Sequence, residues 1–297
     1  MQNIFFYHSL DPEFKYSDKH LELVYYDLKE TIDYLALIVN GIWAEKIKDE
    51  VWKYRAEPLA NKYITQSSTL SKVFLGTQLD FLKLGRKIQV LDVTSFYINL
   101  RSLIENYLML FYLYFDEIPY EEQRMRWIIY QISGIRARRK LTNNSITNEK
   151  KKIILEKELN EEQELINELN GNKYYNLFSQ KYKDVIENRN MAKVLDWPKI
   201  MERAGFKEDF FQNIWRLYSN YAHSEYLSVL QVYDFMSDSE ETINIRNMSL
   251  FFNLILNCLM IKDFSNLYPE LKNYFEEIND NDKRTINLLY GVGKYSS

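Results

Sequence analysis

Turn-forming residues are scarce in this chain: eight glycines and five prolines serve 297 residues. Sandwiches, barrels and doubly wound sheets use such residues at every reversal. Long helices joined by few turns are what remains. The apolar spacing agrees. Leu21, Val24, Leu28, Ile32, Leu35, Val39 and Ile42 recur at steps of three and four, which predicts an amphipathic helix continuing through Val51 and Tyr54. Gly41 inside it permits a bend, and Pro58 marks its end or a break. The polar stretch from Tyr63 to Ser71 reads as a linker, followed by a short helix to about Lys87. Tyr97, Leu100, Ile104, Leu108, Phe111 and Phe115 form one stripe of the next helix, with Asp92, Thr94 or Ser95 as its cap.

Further helices are expected over Glu121–Leu141, Asn148–Leu169, a short segment opened by Asp196-Trp-Pro and closed by Gly205, Glu208–Val232, Glu240–Phe264 and Pro269–Glu277. No strand-like alternation bounded by turns stands out, and no repeat has a solenoid period. The expected fold is all-α, a multi-helix bundle with a central charged helical hairpin. The expected division is an N-terminal helical region, 1–89, and a second helical domain, 90–297, carrying the hairpin as an insert at 120–170.

Hydrophobic residues make up 46% of the chain, enough for a sizeable core, and an aromatic share of 15% excludes a disordered polymer. A net charge of −4 argues against a protein that coats nucleic acid everywhere, though not against a local basic patch. The single cysteine, Cys258, has no internal disulfide partner and cannot build a cysteine zinc cluster. His8 and His20 have no ligand spacing with it, and HExxH is absent, so neither metal nor cofactor is expected. The start, MQNIFFYHSLDPEF, does not read as a signal peptide. The greasy runs Tyr107–Phe115 and Leu250–Ile261 fall short of a span of about 20 residues. A cytoplasmic protein without membrane association is expected. GVG at 291–293 reads as tail, and Asp280-Asn281-Asp282 as a helix-capping turn.

The hairpin is charged in opposite senses on its two arms. Residues 121–140 hold six basic side chains against two glutamates, a net of +4, whereas residues 149–168 hold four lysines against seven glutamates, a net of −3. Cross-arm ion pairs account for this pattern. Steering of a phosphate backbone by Arg136, Arg138, Arg139 and Lys140 is the functional alternative.

The most informative segment is NIWRLYSNYAHSEYLSVLQ. Arg216 and His223 stand two helical turns apart and share a face. Gln212, Asn213, Ser219, Asn220 and Ser224 fall on that side, and Ile214, Tyr218, Tyr221 and Val229 on the other. A polar face with an imidazole and a guanidinium suits RNA cleavage without a metal. An unperturbed imidazole titrates at about 6.5 and can move a proton from a ribose 2′-hydroxyl. The arginine fork can hold the phosphate and offset charge growing on it. Asn220 can orient the imidazole or contact the ribose. One helix leaves the phosphate exposed on one side, so a second copy across a two-fold axis is the simplest completion.

Arg216-x6-His223 resembles the Arg-x4–6-His signature of the HEPN superfamily. That resemblance implies an all-α fold, metal-independent endoribonuclease activity in toxin–antitoxin, phage-defence or RNA-guided systems, and a homodimer with a composite site. Over about residues 90–235 the chain is also similar to an uncharacterised bacterial branch that pairs an Arg-x3-Glu helix with a later Ser-x3-His ending. Here those are Arg101-Ser-Leu-Ile-Glu105 and Ser219 to His223, with LDWPKIMERAGF between them. RNA and an antitoxin or defence partner protein are the implied partners. Arg101 and Glu105 read either as an ion pair fixing two helices or as a phosphate contact beside His223. The alternative for the whole chain is a non-catalytic helical module that binds a protein or nucleotide.

Overall fold

The computed structural model describes residues 19–47, 55–74, 77–83, 85–90, 92–142, 149–206, 208–222, 226 and 240–294. Eleven helices lie among them, with one two-stranded antiparallel hairpin. The chain is all-α in class, and packing divides it into two compact units: residues 1–110 with 201–297, and residues 111–200. The boundary expected at residue 90 falls within the first of these, and the second is wider than the 120–170 hairpin.

In the first unit, helix α1 (Lys19–Ala44) buries Leu28, Ile32, Leu35, Val39 and Ile42 of the stripe read from the sequence, whereas the side chains of Leu21 and Val24 lie outside what is described. It stops short of Val51. Lys46 takes a left-handed backbone, φ 48°, and Ile47 N–H closes back on the Ile42 carbonyl at 3.3 Å, a Schellman stop; residues 48–54 lie outside the described residues. Gly41 allows a close approach, because a Cβ there would meet Leu271 and Tyr274 side chains at 2.9 Å.

The expected linker at Tyr63–Ser71 is instead part of helix α2 (Ala56–Val73), with Pro58 in its first turn, where a missing N–H costs nothing. Its polar residues are used inside. Tyr63 donates to Asn257 Oδ1 at 2.9 Å and Ser67 to the same oxygen at 3.1 Å, while Asn257 Nδ2 donates to Thr31 at 3.2 Å. The short helix expected up to Lys87 is a hairpin, β1 (Thr77–Phe81) with β2 (Arg86–Val90), registered Thr77 to Val90 and Phe81 to Arg86. Gly85, φ 59°, supplies the left-handed turn residue.

Asp92 caps helix α3 (Val93–Leu110) by accepting Ser95 N–H at 2.9 Å. The chain continues through a π-helical turn, Phe111–Phe115, into the second unit. That unit is built on the antiparallel pair α4 (Tyr120–Thr142) and α5 (Glu149–Gly171), with α6 (Gln180–Arg189) alongside. Its core is Met125, Ile128, Ile129, Ile132, Ile135, Leu165, Leu169, Tyr175 and Ile186. Arg126 is 1% exposed; it donates to Asp116 at 2.6 Å, Glu122 at 2.7 Å and the Tyr112 carbonyl at 3.1 Å. Helix α7 (Trp197–Arg203) spans the join between units and ends at Gly205, φ 75°.

Back in the first unit lie α8 (Glu208–Ala222), α9 (Glu240–Leu267), α10 (Lys272–Glu276) and α11 (Asp280–Gly293). Residues 223–232 of the expected 208–232 helix lie outside the described residues, Tyr226 excepted. Helix α9 is buried over most of its surface from Leu250 to Phe264, with Asn253, Asn257 and Asp263 as buried polar groups among apolar ones, and forms the centre against which α1 and α11 pack. Among the described residues, its segment Asn247–Leu267 alone is long and apolar enough to cross a membrane, and most of it is buried in the unit. Asn279 caps α11 by accepting Asp282 N–H at 3.0 Å, which makes the DND stretch a helix start and GVG a helix end rather than a free tail. Asp263 of α9 draws α11 inward by accepting from Lys294 at 2.8 Å and Tyr290 at 3.0 Å, as well as from Tyr107 of α3 at 2.7 Å.

Candidate functional site

Helix α8 is anchored by its tyrosines. Tyr218 and Tyr221 are buried and close on Tyr97 of α3, with ring centroids 4.7 Å and 4.6 Å away, the first stacked and the second edge-on. Tyr218 also shares a 3.2 Å hydrogen bond with Ser249 of α9. Burial pushes the Tyr218 phenol up to about 12, partly offset by that bond. The Tyr97 phenol is pushed higher still, by burial first and then by its two tyrosine neighbours. These rings are neutral packing groups and leave the opposite side of α8 to polar residues.

The two helices are tied a second time at their edge. Arg101 Nε donates to Glu105 Oε1 at 3.1 Å, and Trp215 Nε1 donates to the same oxygen at 3.2 Å. The Arg101 guanidinium lies 5.4 Å from the centre of the Trp215 ring. One carboxylate oxygen therefore joins both helices, and the ion-pair reading of Arg101 and Glu105 describes this geometry. Sequence reasoning did not include Trp215, whose partner lies 110 residues earlier. Nearby, Gln66 of α2 donates to Ser102 at 2.7 Å and takes a bond from Asn106 at 3.1 Å, which fixes the α2–α3 side of the same surface.

Of the residues on the polar side, Ser219 donates to the Trp215 carbonyl at 2.8 Å and so serves its own helix. Arg216 and Asn213 are exposed, and Asn220 is half-buried. Arg216 makes no hydrogen bond or ion pair with another described residue. It stands four residues before Asn220 on the same face. His223 and Ser224 lie just beyond Ala222, outside the described residues. The structure therefore brings together Arg101, Glu105 and Trp215, with Arg216, Ser219 and Asn220 on the helix that carries Trp215.

The proposed steering cations belong to the other unit. Arg136 and Arg139 both donate to Glu162, each at 2.6 Å, and Arg138 pairs with Glu158. Arg124 makes a two-pronged bond to Glu168, at 2.6 and 2.8 Å. Lys140 is exposed and has no partner among the described residues. Burial would raise the Glu162 carboxyl, but hydrogen bonds and charge from Arg136 and Arg139 outweigh it and hold the group below its usual range. Cross-arm pairing thus describes most of the hairpin's charge. No group of three or more histidine, cysteine or acidic residues among the described residues could hold a metal ion.

Compared with known protein families, curated proteins and solved structures, the chain has no significant match.

Proposed function

We propose that this chain is a metal-independent endoribonuclease of HEPN type, acting as a toxin or phage-defence effector. The observation that carries the reading is the state of Arg216: an exposed guanidinium, uncommitted among the described residues, on a helix held from behind by Tyr218 and Tyr221. In this reading His223 takes the proton from a ribose 2′-hydroxyl, which attacks the adjacent phosphate. The bond from phosphorus to the 5′-oxygen breaks, and that oxygen takes a proton back from the protonated imidazole or from water, leaving a 2′,3′-cyclic phosphate and a 5′-hydroxyl. Arg216 holds the phosphate as charge grows on it. Asn220 orients the imidazole or the ribose. Arg101, Glu105 and Trp215 act as positioning residues for α8. A second copy of the chain closes the open side of the phosphate. Steering by Arg136, Arg138 and Arg139 is weak because carboxylates answer their charge, and Lys140 carries most of it.

The test is incubation of purified protein with structured and unstructured RNAs in EDTA. Cleavage with cyclic-phosphate ends, absent in His223→Ala, supports the reading, and intact RNA across the panel overturns it. Light scattering should give a dimer. A second reading, a non-catalytic interaction module for a protein or nucleotide, draws on the commitment of Arg101, Glu105 and Ser219 to packing. It expects His223→Ala to leave the phenotype intact while bulky substitutions at Arg216 or Asn220 abolish partner binding.

A further inference from the structure

The second unit holds a recess of about 450 Å³ where the ends of α4 and α6 meet α5. Its wall carries Arg136, Arg139, Lys140, Glu162, Glu187, Asn188 and Asn190. The volume lies within the range of small-molecule sites, but the lining is polar and cationic, so an apolar ligand is excluded. The wall is also stiff. Glu162 grips two guanidiniums at once, Arg136 through Nε and Arg139 through Nη1, both at 2.6 Å. Arg136 Nη1 is held again by the Glu187 carbonyl at 3.2 Å, in the last turn of α6. Asn190, left-handed at φ 52°, ends that helix; it donates to the Ser133 carbonyl at 3.1 Å and receives the Ser133 hydroxyl at 3.0 Å. These bonds fix the α6 end to α4 with the recess beside them.

Three cations and two carboxylates line the recess, a net of +1. Glu162 is fully used by its two arginines. Glu187 has its carboxylate engaged by the Tyr175 hydroxyl at 3.2 Å. Lys140 is exposed and unanswered among the described residues, and so is the Asn188 amide. Two held guanidiniums with a mobile ammonium beside them are a preorganised receptor for a phosphoryl group, since the forks lose little freedom on binding. Asn188 and the Glu187 carboxylate can accept from hydroxyl or amino groups on the rest of the ligand.

We propose that the Arg136–Arg139–Lys140 recess binds a phosphate monoester of a small polar molecule, up to the size of a mononucleotide. The inference does not rest on the nuclease reading, since it uses no residue of α8.

The test is calorimetric titration of the full chain at low salt with three probes: AMP, glucose 6-phosphate and inorganic phosphate. At least one of the two esters binds, and more tightly than inorganic phosphate. AMP alone would identify a nucleoside as the rest of the ligand, and equal binding of both esters a general monoester site. Lys140→Glu weakens binding by at least about tenfold and leaves the melting temperature unchanged, because Lys140 is exposed and has no partner among the described residues. His223→Ala leaves binding unchanged, which separates this result from the fate of the nuclease proposal. Three outcomes overturn the site: no heat from any probe up to ~1 mM, inorganic phosphate binding as tightly as both esters, or equal affinity in Lys140→Glu.

Discussion

Two regions of this protein hold arginines in opposite ways. Along the α4–α5 hairpin, Arg124, Arg126, Arg136, Arg138 and Arg139 each meet a carboxylate, and Arg126 meets two. On the polar side of α8, Arg216 meets none among the described residues. Six basic side chains in a short span draw the eye in a sequence, yet most of them turn out to be internal fasteners. Arg216, in a nearly neutral helix, is exposed and meets no carboxylate among the described residues. Density of charge is therefore a poor guide to function, and unpaired charge is a better one.

The contrast can be broken first at Arg126. Arg126→Ala leaves Asp116 and Glu122 without their cation, and Asp116 is buried; the expected loss is about 3–5 kcal/mol of stability. Arg126→Met, which restores bulk but not charge, would lose about as much if the lost cation, rather than the lost packing, is the cause. Urea denaturation followed by circular dichroism measures both. Next comes Glu162→Gln. A glutamine cannot accept from both arginines, so a loss of about 1–3 kcal/mol is expected. The carboxyl is depressed in the folded state, so its contribution is complete at neutral pH. It declines as pH falls below the ordinary carboxylate value and is gone below the depressed one. Denaturation midpoints against pH should show that acid loss in the native chain and less of it in Glu162→Gln.

Asn190→Ala is smaller, about 1–2 kcal/mol, because a left-handed backbone at φ 52° penalises a Cβ that cannot hydrogen-bond locally. Asn190→Gly should recover the backbone part of that loss but not the side-chain bond to the Ser133 carbonyl. Smallest in stability is Arg216→Ala, within ~0.5 kcal/mol, as for an exposed side chain with no partner. A larger loss there would mean that Arg216 is a fastener too, and the contrast would fail.

How much of this was legible beforehand depends on whether burial follows apolarity. The stripe of α1, Asp92 as one of three candidate caps, the capping turn at Asp280-Asn281-Asp282 and the stop at Gly205 could all be read, since each is a local signal. The segment Tyr63–Ser71 could not. Its hydroxyls are buried only because Asn257, some 190 residues later, supplies partners for them. The hairpin at 77–90 was missed because LDFLKLGRKIQV gives apolar residues at helical as well as strand spacing, and one left-handed glycine decides between them. At the candidate site, the shared side of Arg216 and Asn220 follows from helical geometry alone. The bond from Trp215 to Glu105 joins residues far apart in sequence and needed the packing of α3 on α8. Tyr97, Tyr218 and Tyr221 hold that same packing.

The central claim is that Arg216, unpaired among the described residues, serves RNA cleavage, while the carboxylate-paired arginines of the hairpin hold their own unit together, Arg136 and Arg139 also forming the fixed wall of its recess. Metal-free RNA cleavage by Arg216→Ala, compared with the unaltered chain at matched folded fraction, tests it most directly. The account expects cleavage to fall by about a hundredfold or more with unfolding unchanged. Full cleavage by Arg216→Ala would contradict it, as would a parallel fall in stability.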